Sequence, residues 1–129
     1  MGGNLVQWRS SRQDLVAKST CEAELIATSE ALQQGENISI VISEMTNACC
    51  DIEVSSDNAA ALHMVRNGSE TAWRTRHISV KALWLHQMSR RGIRFTYQST
   101  SDMAADSLTK GMGASRLPKI KDDLCLIDD

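Results

Sequence analysis

Three acidic residues set among small side chains are the residues of this chain best suited to chemistry. Glu24 follows an alanine, Asp57 stands between two serines and an asparagine–alanine run, and Asp106 follows two alanines. Small neighbours leave room for a hydrated metal ion, and Mg²⁺ takes oxygen ligands from a few carboxylates while keeping several waters. If the three acids converge, they could form a site for phosphoryl transfer. The alternative is three solvated acids among the 16 in the chain, because acidic side chains are mostly exposed.

The composition indicates one soluble globular domain with an uneven distribution of charge. A length of 129 residues suffices for one core, and 42% hydrophobic with 23% charged residues is typical of a folded chain. The net charge is −6 over residues 1–57, +6 over residues 58–101 and −2 over residues 102–129. This division suits a protein that holds a polyanion with its middle third and presents metal-binding acids from the other two. A solvated helix face that happens to be basic is the alternative.

The cysteines and the terminal sequence favour an intracellular protein. The four cysteines show no CxxC spacing, and an adjacent pair is poorly placed for an ordinary disulfide or a tetrahedral zinc site. They are Cys21, Cys49, Cys50 and Cys125. No secretory signal pattern and no run of ~18 apolar residues are present. We therefore expect reduced thiols, no secretion and no membrane span.

The first third of the chain predicts two short strands and one long helix. Residues 5–8 and 15–18 are strand candidates. Ser19 followed by Glu22 is a capping-box signature, which opens a helix that bears Glu24 and runs towards residue 45. In the second half of this helix, apolar residues at helical spacing predict a buried stripe. They are Ile38, Val41, Ile42 and Met45.

The remaining segments predict a mixed α/β fold. A strand over residues 52–56 ends at Asp57, where α/β proteins commonly bind ligands, and a helix over residues 58–67 follows it. A second helix over residues 75–91 and an alternating strand over residues 93–97 come next. Ser101 is predicted to cap a last short helix that bears Asp106 and closes at two glycines, Gly111 and Gly113. We assign residues 1–113 to the domain and residues 114–129 to a loosely attached acidic tail.

Five strings in this order resemble the ribonuclease H domain of copia-type retrotransposon Pol polyproteins. They are Trp8-Arg9-Ser10-Ser11-Arg12-Gln13, Ser19-Thr20-Cys21-Glu22-Ala23-Glu24, Asp57-Asn58 with Ala61, Arg74-Thr75-Arg76-His77-Ile78, and Ala105-Asp106-Ser107-Leu108-Thr109-Lys110. Each string alone is weak, but together they span nearly all of residues 5–112. The resemblance therefore favours a shared site over three unrelated surface acids.

The resemblance implies a ribonuclease H-like mixed sheet flanked by helices, with four carboxylates that hold two Mg²⁺ ions. Glu24, Asp57 and Asp106 match three of the family's acids; Glu22 shares the first motif, but its capping role explains it. The implied reaction is hydrolysis of the RNA strand of an RNA/DNA hybrid during reverse transcription, by two-metal catalysis. The implied partner in the same polyprotein is the upstream reverse transcriptase domain.

The chain departs from the family pattern at its first strand. The family's fourth carboxylate lies on a central strand upstream of the Trp8 segment, and no acid precedes Asp14 here. We expect the domain to be incomplete at its N-terminus and to cleave a hybrid slowly or not at all by itself. Two hypotheses stay open: a ribonuclease H enzyme in its intact form, and an inactive remnant that binds nucleic acid weakly through residues 66–94. A plain structural domain would require the acids to diverge in space.

The basic middle third supplies the candidate contacts to nucleic acid. Phosphate contacts position a nucleic acid without specifying its sequence. The candidates are Arg74, Arg76, His77, Lys81, Arg90, Arg91 and Arg94. His77 could instead cap or pack beside its helix.

Overall fold

The computed structural model describes residues 6–10, 12–13, 17, 19–68, 76–108 and 118. The chain divides into two compact units. One unit comprises residues 15–98, and the other joins residues 1–14 to residues 99–129. Among the described residues the fold is mixed α/β, with three α-helices, one short 3-10 helix and a two-stranded parallel sheet. No helix in this part of the chain is both long enough and apolar enough to cross a membrane.

The long helix α1 spans Thr20–Thr46 and begins where its sequence predicts. Ser19 is extended at the N-cap, and its hydroxyl accepts a hydrogen bond from the Glu22 backbone N–H at 3.2 Å. This contact satisfies one of the amide groups that the first helical turn leaves without a partner. The helix ends at Asn47, whose left-handed conformation (φ 57°) is typical of a C-cap.

The two strands and the two shorter helices form a parallel crossover in the larger unit. Strand β1 spans Glu53–Ser56, helix α2 spans Ala59–Asn67, helix α3 spans Arg76–Arg90 and strand β2 spans Arg94–Tyr97. The strands pair in parallel with Val54 opposite Phe95. Parallel strands need a long connection, which α2 and α3 provide here.

One apolar core joins these elements. Helix α1 packs on α2, α3 and β1, while α2 packs on α3 and both strands. The core residues are Leu25, Ile26, Leu32, Val54, Ala61, Leu62, Val65, Ile78, Ala82, Leu85 and Phe95. The inward face of α3 is formed by Ile78, Ala82 and Leu85, which recur at helical spacing and are buried. Phe95 is buried as the strand alternation predicts, whereas Tyr97 is 58% exposed.

His86 of α3 secures the end of α2. Its Nδ1–H donates to the Val65 carbonyl at 2.8 Å, a group in the last turn of α2 that has few partners within the helix. Gly68 ends the helix with φ 65°, and a Cβ at this position would lie 3.5 Å from the His86 ring. The helix therefore ends at residue 67, as its sequence predicts.

In the smaller unit the 3-10 helix η1 spans Ala104–Leu108. It begins three residues after Ser101, which lies in a turn together with Asp102. The helix therefore begins later than predicted, and the Asp102 amide closes a turn onto the Ser99 carbonyl before it. Gly111, Gly113 and the predicted domain boundary at residues 113–114 lie outside the described residues.

Two other predictions of structure fail. Residues 6–8 form neither strand nor helix, although their apolar alternation suits a strand. The stripe in the second half of α1 is not uniformly buried: Val41 is 54% exposed and Met45 is 81% exposed. The reason is that all buried residues of α1 lie between Leu25 and Leu32, so the helix extends well beyond the core of its unit. Of the candidate strand at residues 15–18 only Ala17 is described, and it has no regular structure.

Candidate functional site

Asp57 occupies the junction between β1 and α2. It follows the last residue of the strand, is partly buried, and precedes Asn58, the N-cap of α2. The Asn58 side chain accepts a hydrogen bond from the Ala61 amide at 3.0 Å, and the Asn58 amide donates to the Ser56 hydroxyl at 3.2 Å. These two bonds fix the turn around Asp57, so its carboxylate is held at the carboxyl end of a parallel strand, beside a helix N-terminus.

Glu24 lies in the second turn of α1, on the half of the helix that contributes to the core. It is partly buried and precedes Leu25 and Ile26, which are almost completely buried. Its backbone carbonyl accepts a hydrogen bond from the Thr28 hydroxyl at 2.7 Å. Because α1 packs on both β1 and α2, Glu24 and Asp57 lie on elements of one packed unit. The convergence of their two carboxylates stays a prediction.

Asp106 belongs to the other unit. It is partly buried within η1, and its amide donates to the Met103 carbonyl at 3.2 Å. The predicted placement of Asp106 on a short helix holds for the backbone. Its convergence with Glu24 and Asp57 stays a prediction.

Carboxylate oxygens are the ligand type that Mg²⁺ prefers, so the three predicted acids fit the ion in donor chemistry. Among the described residues, however, no group of three or more His, Cys, Asp or Glu side chains is arranged to hold a metal ion. The described residues of the larger unit include two of the predicted ligands, Glu24 and Asp57. Binding of Mg²⁺ by the three acids therefore stays a prediction.

The candidate contacts to nucleic acid lie mainly on α3 and just after it. Arg90 and Arg91 are exposed at the end of the helix. Arg94 begins β2 with its side chain 63% exposed, and it forms an ion pair of 3.4 Å with Glu53 on the neighbouring strand. The backbones of Arg76 and His77 lie in α3, but their side chains, like the whole of Arg74, lie outside what the structure describes.

Lys81 differs from the other basic candidates because it is partly buried between α3 and α1. Its ammonium group donates to the Ser29 hydroxyl at 3.1 Å. Ser29 is 1% exposed and in turn donates to the Ile26 carbonyl at 2.7 Å. Sequence reasoning missed Ser29, although a signal existed: it is a hydroxyl residue at an apolar-stripe position, four residues after Leu25 and three before Leu32.

Cys21 lies beside the candidate acids, one turn before Leu25. Its thiol donates to the Met64 sulfur of α2 at 3.5 Å. Burial raises the pKa of the Cys21 thiol above its ordinary value, and the negative charges of Glu22 and Glu24 raise it further. The thiol is therefore held in its neutral form, which suits a packing role between α1 and α2 rather than nucleophilic chemistry.

Comparison with known proteins relates the chain to transposon polyproteins. It is 31% identical over 124 residues to the Retrovirus-related Pol polyprotein from transposon TNT 1-94 of Nicotiana tabacum, an alignment that covers 95% of this chain and 9% of the relative. It is 26% identical over 111 residues to the Transposon Ty1-NL2 and Ty1-DR6 Gag-Pol polyproteins of Saccharomyces cerevisiae, covering 85% of this chain and 6% of each relative.

No protein-family model matches the chain, and no solved structure matches it. The chain spans less than a tenth of the length of the curated relatives it matches. These relatives are Pol and Gag-Pol polyproteins of copia-type elements, and the chain is similar to a short section of them.

Proposed function

We propose that this chain belongs to a ribonuclease H-like domain of a copia-type retrotransposon polyprotein. In its intact form the domain hydrolyses the RNA strand of an RNA/DNA hybrid during reverse transcription. The observation that supports this most strongly is the position of Asp57, at the carboxyl end of a parallel strand and beside the N-cap of α2, with the Glu24 helix packed on the same strand. The similarity to transposon polyproteins supports the choice of a nucleic acid as the proposed substrate.

Each candidate residue has a distinct part in this proposal. Glu24, Asp57 and Asp106 supply carboxylates that would hold Mg²⁺ beside the scissile phosphate. When bound, two such ions would activate the attacking water and stabilise the leaving oxygen. The basic residues of α3 and its C-terminal end hold the phosphates on either side, and contacts to 2′-hydroxyls would distinguish RNA from DNA. The preceding section of the polyprotein, by the same resemblance a reverse transcriptase domain, is the proposed partner.

The sheet offers a place for an additional strand. Among the described residues β1 pairs with β2 alone, and the proposal places a strand from elsewhere in the polyprotein at the other edge of β1. Exposed strand edges readily accept such partners. A strand added there would run alongside the segment that ends at Asp57 and could bring a further carboxylate to the site.

The test is hybrid cleavage by a longer polypeptide that adds the preceding section of the polyprotein. We expect it to cut the RNA strand of a labelled RNA/DNA hybrid in Mg²⁺, to stop on addition of EDTA, and to leave a DNA duplex of the same sequence intact. The 129-residue chain is measured beside it. Absence of Mg²⁺-dependent cleavage by the longer polypeptide would refute the enzymatic proposal.

A second candidate function is binding of nucleic acid without cleavage. Its support is helix α3, which contains Arg76, Lys81 and Arg90 and no acidic residue. Two further arginines, Arg91 and Arg94, follow it closely. If hybrid binding weakens steeply with salt while neither the 129-residue chain nor the longer polypeptide cleaves the hybrid, the result supports this second function.

A further inference from the structure

The ammonium group of Lys81 has an unusual set of partners. A lysine has three N–H donors and no acceptor, and the Ser29 hydroxyl takes one of them. The one ion pair among the described residues joins Arg94 to Glu53. Within the described part of the chain, Lys81 is thus a partly buried cation with a neutral partner and no carboxylate.

Partial burial of the Lys81 ammonium group costs free energy, and a bound anion would offset that cost. Burial removes part of the water around a charge, and proteins normally compensate by pairing it. Lysine side chains can usually avoid the cost by extending the ammonium group into solvent. Here the bond to a buried hydroxyl keeps the Lys81 ammonium group at the junction of α1 and α3, with two donors left for a ligand.

The hydrogen-bond chain also fixes the direction of the contact. Because the Ser29 hydroxyl proton is donated to the Ile26 carbonyl, the lone pairs of that oxygen are available to accept from Lys81. The lysine is therefore oriented before any ligand arrives, which reduces the rotamer entropy lost on binding. Arg90 and Arg91, both exposed at the end of α3, lack this restraint from α1.

Ser29, the partner of Lys81, lies on α1, the helix that bears Glu24. Ser29 lies five positions after Glu24, which corresponds to about 7.5 Å along the helix axis and about 140° around it. No Asp or Glu occurs between residues 71 and 101, so the α3 side of the contact carries no acid, whereas Glu30 follows Ser29 on α1. A polyanion is the ligand best suited to these surroundings.

We propose that Lys81, oriented by the buried hydroxyl of Ser29, binds a backbone phosphate of the nucleic acid flanking the Glu24 site, and that Ser29 is its positioning residue. The identity of the ligand rests on the proposed function, whereas the anion site itself does not. The proposal separates one fixed phosphate contact at Lys81 from the diffuse attraction of the exposed arginines.

The test compares Lys81→Met and Ser29→Ala in the full chain, by fluorescence anisotropy of a labelled RNA/DNA hybrid across a salt series. Lys81→Met should weaken binding severalfold and reduce the slope of log K against log salt by about 1, the loss expected for one phosphate contact. Ser29→Ala should also weaken binding severalfold but keep the slope, because the charge remains. The two losses should not add in the double variant.

The matched control is Ser43→Ala. Ser43 lies on the same helix and makes the same kind of bond, to the Ile40 carbonyl at 2.8 Å, but it is not bonded to a lysine. Its hybrid affinity should equal that of the unchanged protein. Urea denaturation of all variants measures the structural contribution. If Lys81→Met lowers stability but changes neither the hybrid affinity nor its salt dependence, Lys81 only stabilises the packing of α3 on α1, and the proposal is wrong.

A second measurement keeps the anion site separate from the proposed function. Tripolyphosphate is titrated into the protein while the lysine side-chain ammonium signals are followed by NMR. A saturable shift of the Lys81 signal that Ser29→Ala weakens supports the anion site. If the hybrid does not bind, only the assignment of nucleic acid as the ligand is refuted. No Lys81 response to tripolyphosphate overturns the proposal.

Discussion

Asp57 owes its position to the residues on either side of it. Ser56 and Asn58 hydrogen-bond across it, and Asn58 also caps α2. A polar capping residue directly after an acid at a strand end is a local pattern, which is why the sequence alone predicted this junction. Ser29 was not predicted, because its partner Lys81 lies 52 residues away in the chain and only tertiary packing brings the two together.

Asn58→Ala should destabilise the protein by about 1 kcal/mol, the usual effect of losing an N-cap side chain. The Ala61 amide would lose the oxygen that it now contacts at 3.0 Å. Urea denaturation measures the change. Asn37→Ala, at an exposed position within α1, is the control and should leave stability unchanged or raise it, since alanine favours helix. Equal stability of Asn58→Ala and the unchanged protein would show that the cap is unimportant.

Cys21 should be alkylated more slowly than Cys49 at about pH 8, near the ordinary cysteine pKa. Burial and two neighbouring glutamates raise the pKa of Cys21, so its reactive thiolate forms only at higher pH, whereas Cys49 is exposed. Iodoacetamide labelling followed by peptide mass spectrometry gives both rates across a pH series. Unfolding in urea should remove the difference. Faster labelling of Cys21 than of Cys49 in the folded protein would contradict this environment.

At the scale of elements, the helices were easier to predict than their burial. The capping serine and the helical spacing predicted α1, α2 and α3 to within a residue or two. The apolar residues in the second half of α1 show the same spacing as those in its first half, yet Val41 and Met45 are exposed. Periodicity reports which side chains share a face, but not whether another element covers it.

Gly35→Ala should stabilise α1 by roughly 0.5–1 kcal/mol, because glycine within a helix is less favourable than alanine by that amount. The added Cβ would meet the Ile52 side chain at 3.4 Å, an ordinary contact. Thermal or urea unfolding measures the gain. Gly92→Ala is the contrasting variant: its φ of 103° disfavours a side chain although the space is open, so stability should fall. A loss of stability in Gly35→Ala would mean that the Ile52 side chain cannot move to accommodate the added methyl group.

At the scale of the whole molecule, charge division and motif order indicated a nucleic-acid enzyme, and the comparisons support an origin in transposon polyproteins. The α/β class was predictable because strand and helix patterns alternate along the chain. The convergence of the three acids stays a prediction, since Glu24 and Asp57 belong to one unit and Asp106 to the other. Short sequence motifs specify local turns, while convergence of distant acids depends on packing that no local pattern encodes.

The central claim is that Glu24, Asp57 and Asp106 act together in one metal-dependent site. Its most direct test is the rate of RNA/DNA hybrid cleavage in Mg²⁺ by the longer polypeptide carrying Glu24→Gln, Asp57→Asn or Asp106→Asn. The matched controls are Glu44→Gln, Asp51→Asn and Asp102→Asn, which change exposed acids on or beside the same elements. Each site variant should lower the rate by at least ~100-fold, the scale of losing one group that stabilises the transition state, while each control retains the full rate. Cleavage that survives in Asp57→Asn, or that falls equally in the controls, would contradict the shared site.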